Sequence, residues 1–236
     1  MAGSFSNVRG AGIAALALAL VLAAPARAQP AGEACAAAPS VALSGADADE
    51  RAWVCGAAAR VLRFLQQAGL KIPERVPVEL VDEMPGEMKG RAVGCYLRDT
   101  RRILLLRWPA FAATGEWLRT PVEPGLYQGA AAHEVAHAVI GCNVDDTALA
   151  VPAHEYVAYV ALFATLEPTL RERVLARFPG RGFDSTLQIN TIVYLSDPLQ
   201  FAADAWRHYR RRLDGPAWLR EVLQGHVVPA FPTDGP

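Results

Sequence analysis

Lysine is almost missing from this chain. Of 23 basic residues only Lys71 and Lys89 are lysines, and the formal net charge is -1. Such a balance leaves no basic footprint for nucleic acid, so that class of partner is excluded. Long apolar runs are also missing. The longest, Ala11 to Ala24, is too short to span a bilayer. The four cysteines include no Cys-x-x-Cys pair, which removes the usual spacing of thiolate metal sites. No internal repeat occurs, and the chain beyond its N-terminus contains no low-complexity tract. What remains, 236 residues that are 52% hydrophobic, suits one globular domain with a sizeable core.

The N-terminus reads as a targeting segment. Arg9 supplies a positive start, Ala11 to Ala24 an apolar centre, and Ala26-Arg27-Ala28 a small-x-small cleavage signal. Residues 1–28 are therefore expected to be a signal peptide, cut before Gln29, with residues 29–236 forming the mature domain. The expected location is periplasmic or secreted, with no stable membrane insertion after cleavage. An oxidising compartment and an even cysteine count favour two disulfides. Four cysteines allow three connectivities. The pairing expected is Cys35–Cys55, tying the mature N-terminus to the first helix, and Cys95–Cys142, tying a strand to the end of a later helix.

Residues 29–44, rich in Ala, Pro, Gly and Ser, read as a mobile leader. Trp53, Val54, Ala57, Val61, Leu62 and Leu65 have helical spacing, which predicts a helix over 47–67 with Ser44 or Asp47 as its cap and Gly69 at its end. Val76 to Val81 alternates as a strand does. Residues 92–97 and 103–108 read as a hairpin turning near Asp99-Thr100. A short helix is expected over 109–117, and the rest of the pattern is helical: 127–140 stopped by Gly141, then 152–166, 168–178, 186–195, 198–213 and 216–224. The fold class expected is α+β, with a small, mainly antiparallel sheet in about 45–125 and a helical half in about 126–236.

The chemistry sits at His133-Glu134-Val135-Ala136-His137. Two histidines four apart lie on one helix face, one turn apart, so both imidazoles can reach one metal ion. Glu134 points roughly 100° round the helix, beside the metal position, where a general base is needed for a metal-activated water. The flanking sequence, Gly129-Ala-Ala-Ala before and Ala138-Val-Ile-Gly141 after, is small or apolar throughout. Such a helix is buried all round. Two histidines and a glutamate buried there without partners would cost several kcal/mol, and a metal ion is the simplest partner.

The segment Ala132 to Val139 resembles the zinc-binding helix of zincin metallopeptidases, in which a small sheet with an edge strand lies over that helix. The metzincin pattern places a Gly and a third His soon after the second His. Here Gly141 falls one residue late, and no histidine occurs from 138 to 153. The resemblance is therefore to the gluzincin branch, whose third ligand is a Glu on the next long helix. Glu155, 18 positions after His137, matches that place. His154 is the rival ligand. Gluzincins often carry Asn before this Glu and Asp four after it, where this chain has His154 and Tyr159. Asp145 or Asp146 is the substitute partner expected for a ligating histidine.

The resemblance implies one Zn²⁺ per chain, held by His133, His137 and Glu155, with Glu134 as the catalytic base. It also implies a downstream Tyr or His as donor to the transition-state oxyanion: Tyr194 first, with His208 and Tyr209 behind it. The function expected is hydrolysis of peptide bonds in a peptide or protein substrate. A zincin fold retained as a silent binding or scaffold protein, and a zinc hydrolase of a non-peptide cell-wall amide, are the alternatives. Arg101, Arg102 and Arg107 flank Ile103 to Leu106. This strand is either the exposed edge that pairs with an extended substrate or a buried central strand with charged ends.

Overall fold

The computed structural model describes residues 32–144 and 149–225. The expected signal peptide, with Asp145 and Asp146, lies outside the described residues. Among those described, no helix is long and apolar enough to cross a membrane.

The first strands occupy the stretch expected to be a leader. β1 (Glu33–Cys35) pairs antiparallel with β2 (Ala38–Ser44), which buries Ala38 at its start and then Val41 and Leu43 in alternation. The many alanines and serines, poor strand formers, hide this alternation in the sequence. α1 (Ala48–Gln67) follows with Asp47 as its cap. The Asp47 side chain accepts from the Glu50 backbone N–H, and Glu50 accepts in return from the Asp47 N–H. The Cys35–Cys55 disulfide ties β1 to α1, as expected.

β3 (Val76–Val81), β4 (Gly94–Leu97) and β5 (Arg102–Leu106) complete a five-stranded sheet in the order β1-β2-β3-β5-β4. The β2/β3 and β3/β5 pairs are parallel, whereas β1/β2 and β5/β4 are antiparallel. The sheet is thus mixed, not mainly antiparallel. Recognising β2 is what changes the topology, because β2–α1–β3 is a crossover unit that forces a parallel pair. After β3 the chain passes to the far edge, forms β4, and returns as β5 between them. Ile103 to Leu106 are all buried, so β5 is an interior strand, flanked by β3 and β4, and β4 is an edge strand.

α2 (Trp108–Ala112) and a small hairpin of β6 (Glu116–Trp117) and β7 (Thr120–Pro121) lead into the helical half. α3 (Pro124–Asn143) runs straight through Gly141, which therefore does not end it. α4 (Val151–Thr165), α5 (Pro168–Leu175), α6 (Thr191–Ser196), α7 (Pro198–Arg210) and α8 (Gly215–Leu223) follow. The stretch 186–195 is split into a single 3₁₀ turn, Thr186–Gln188, and α6, because Asn190 caps a new helix by accepting from the Val193 N–H. α3 is packed between α1 and α4, with β4 crossing it.

Candidate metal centre

Every α3 residue from Gly129 to Ala136 is buried, and His133, Glu134 and His137 line a cleft between β4 and α4. His133 and His137 stand one turn apart on α3, and α4 presents Glu155 opposite them. Their ligand atoms converge: His133 Nε2 lies 3.1 Å from His137 Nε2 and 3.5 Å from Glu155 Oε2, and His137 Nε2 lies 3.6 Å from Glu155 Oε1. Ligands about 2.1 Å from a tetrahedral ion stand about 3.4 Å from one another. The triad has these edges. His154, the rival third ligand, is buried behind His137 with ring centroids 6.0 Å apart, and it does not join the converging set.

Burial pushes His133 down to about 4 and holds His137 well below its ordinary range, the second helped by His133, His154 and Arg98 nearby. Both imidazoles are therefore neutral near pH 7, the state in which histidine ligates. Burial raises Glu155 to about 7, against the opposing pull of Arg98. Two neutral ring nitrogens and a carboxylate converge on one point, a group that could hold a metal ion, and the residues fit zinc in number, type and spacing. His133 Nδ1 makes no hydrogen bond of full geometry, but the Ala158 backbone carbonyl lies near enough to favour a proton on the ring. Tyr159 packs against the same ring with centroids 4.5 Å apart. A backbone carbonyl and an aromatic face thus occupy the surroundings of His133 on the α4 side.

Glu134 faces the edge strand. Burial first, and the nearby Glu155 second, raise its carboxyl to about 8, while the Tyr96 backbone N–H favours the ionised form. Gly94 makes this approach possible: a Cβ there would come within 2.7 Å of Glu134 Cγ and 2.8 Å of Oε1. Tyr194, carried by α6, lines the same cleft of about 520 Å³ as the triad and Glu134. Its hydroxyl is held protonated by burial and by the carboxylates of Glu155 and Glu134, so it can only donate towards them or towards a developing negative charge.

Of the other donors considered, His208 is enclosed by Tyr156 and Trp218, and Tyr209 packs on Phe64 and Trp206. Neither lines the cleft. Arg102 pairs with Glu79, and Arg107 with the fully buried Glu50, so these arginines brace the two ends of β5 and do not line the cleft.

Cys95 and Cys142 are both free, which overturns the second expected disulfide. Cys95 lies between Gly94 and Tyr96, both of which touch Glu134. Cys142 lies eight residues further along α3, roughly 12 Å by helical rise and beyond the reach of about 7 Å between Cα atoms that a disulfide tolerates.

Sequence reading missed Gly94, Arg98 and Trp117 as lining residues. A glycine inside a strand pattern was the available signal for the first. No curated protein and no solved structure matches the chain. A family model does match, over residues 41–232, and the chain therefore belongs to the family of unknown function DUF6639.

Proposed function

We propose that this protein is an exported zinc-dependent peptidase, with zinc held by His133, His137 and Glu155. The observation that carries the reading is the triad of ligand atoms at 3.1, 3.5 and 3.6 Å, the edges of a tetrahedral site, with a buried carboxylate directly beside it. When bound, the metal would supply Lewis acidity to the substrate carbonyl and to the attacking water. Glu134 takes the proton of that water and hands it to the leaving amine as the carbon–nitrogen bond breaks. Tyr194 donates a hydrogen bond to the oxygen that gains negative charge. The exposed edge of β4 pairs with an extended peptide laid across Glu134. The Cys35–Cys55 bridge fits the oxidising compartment that the N-terminus implies.

Elemental analysis of the purified protein tests the reading. About one zinc per chain is expected, and it should be lost in His137→Ala. Glu134→Gln should keep the zinc and lose peptide hydrolysis by at least about 100-fold. Protein that binds no metal at neutral pH would sink the proposal. A Glu134→Gln protein with undiminished hydrolysis would do so as well.

A further inference from the structure

The hairpin β6–β7 and the corner between α6 and α7 supply no metal ligand, yet both reach the cleft, through Trp117 on one side and Pro198 and Leu199 on the other. The hairpin turns on Leu118 and Arg119, at φ 51° and 52°. Both are non-glycine residues in the left-handed region, a conformation that costs roughly 1 kcal/mol or more at each. Surrounding structure holds the strain in place. Leu118 is fully buried, and the Thr120 hydroxyl donates back to its carbonyl at 3.1 Å. The Arg119 guanidinium stacks over Phe178 at 4.7 Å and pairs with Asp197 at 2.5 Å.

Asp197 is itself the cap of α7, accepting from the Gln200 N–H, and it sits between Tyr194 and Pro198 in sequence. The ion pair therefore fastens the wall that carries Trp117 to the wall that carries Tyr194, Pro198 and Leu199. Trp117 is set in turn against Phe111, and its ring edge lies over Gly129, one helical turn before His133, where a Cβ would meet it at 3.6 Å. Trp117, Pro198 and Leu199 are each only half-buried, so apolar surface remains open to the cleft. Charge at the junction is cancelled, because Arg119 and Asp197 neutralise each other.

We infer that Trp117, Pro198 and Leu199 form a subsite that takes a large apolar side chain of the peptide substrate, next to the bond that is cut. This inference rests on the peptidase reading and adds its substrate class: peptides with an aromatic or long aliphatic residue beside the scissile bond. Burial of such a side chain on apolar walls favours it over alanine by a factor of about 30, and the absence of net charge at the subsite disfavours Asp and Lys there.

Binding is measured without turnover on zinc-loaded Glu134→Gln protein, by calorimetry with capped alanine hexapeptides carrying a single Phe, Leu, Asp or Lys. Phe and Leu peptides should bind about 30-fold tighter than the all-alanine peptide, with Asp and Lys peptides no tighter than alanine. Adding Trp117→Ala should reduce the apolar preference to within about 3-fold. Leu199→Asn, at a half-buried position, provides the same readout if the tryptophan variant does not fold. Equal binding of all peptides, or an apolar preference that the folded variants leave intact, would overturn the subsite. Wild-type protein that cleaves peptides without preference sinks the subsite alone. Protein that holds zinc but neither binds nor cleaves any peptide sinks the peptidase reading and the subsite with it.

Discussion

Gly94 has no side chain, and Glu134 occupies the space one would fill. The strand can lie against the carboxylate only because of this, and the Tyr96 N–H then reaches it. A methyl group at 94 would stand 2.7 Å from Glu134 Cγ, closer than carbon atoms approach, so either the carboxylate or the edge strand must move. Gly94 is in extended backbone, so alanine introduces no torsional strain of its own. The expected result for Gly94→Ala is a fall in kcat of about 10- to 100-fold with zinc content unchanged, since displacing a base by an ångström costs rate without touching the ligands. Measuring zinc and hydrolysis on the same preparation checks it. Loss of zinc along with activity would mean that the strand supports the triad and not the base.

At the scale of elements, α4, α7 and α8 are joined by one buried chain of hydrogen bonds. Trp218 Nε1 donates to the Tyr156 hydroxyl at 3.0 Å, and that hydroxyl lies 2.8 Å from His208 Nδ1. The Tyr156 oxygen accepts from Trp218 and shares a second hydrogen bond with His208 Nδ1, whose direction is set by the His208 tautomer. Burial, with Arg212 and Arg211 nearby, lowers His208 to about 4 from an ordinary 6.5. Between those values the unfolded chain binds a proton at His208 and the folded chain does not, so stability falls as pH falls through that window and the effect vanishes above it. At pH 5 the loss is at most about 2 kcal/mol, at 1.4 kcal/mol per pH unit. Thermal melts at pH 7.5 and pH 5 should show a smaller acid loss for His208→Gln than for the wild type at the same zinc loading. Equal losses would remove His208 from the account.

Legibility in the sequence followed periodicity. α1, β3 and the helices of the C-terminal half were readable because one face of each is apolar at its own period. β1 and β2 were not, because alanine and serine carry almost no strand signal and their pairing is set by residues far along the chain. The His133–His137–Glu155 triad was readable for a related reason. His133, Glu134 and His137 share one helix, whose geometry is fixed locally, and Glu155 follows on the next. Tyr194 was readable from the resemblance, but the apolar walls were not, since the segments of Trp117 and Leu199 are joined by the Arg119–Asp197 pair, 78 positions apart.

For the whole molecule, the cysteines give the sharpest test of the arrangement. The Cys35–Cys55 bridge, of sequence separation 20, anchors the edge of the sheet to the first helix. Closing a loop of that length stabilises by about 3 kcal/mol in the chain-entropy account, so reduction should lower the melting temperature by several degrees without dispersing the core. Cys95 and Cys142 remain as thiols on separate parts of α3's surroundings. Cys142 is exposed and should react with a thiol reagent at once. Cys95 is half-buried beside Glu134, and burial and that carboxylate both raise its thiol, which keeps it in the unreactive protonated form. Mass spectrometry of the unreduced mature protein should therefore show one label added quickly and a second at least about 10-fold more slowly, with Cys35 and Cys55 protected until reductant is present. Occupation of the cleft by a peptide that covers the edge strand should slow the second label further and leave the first unchanged. Two labels added at equal rates would mean that β4 is not held against α3, and with it the placement of the base would fall. No label without reductant would mean that Cys95 and Cys142 are bridged, and would overturn the arrangement of β4 and α3.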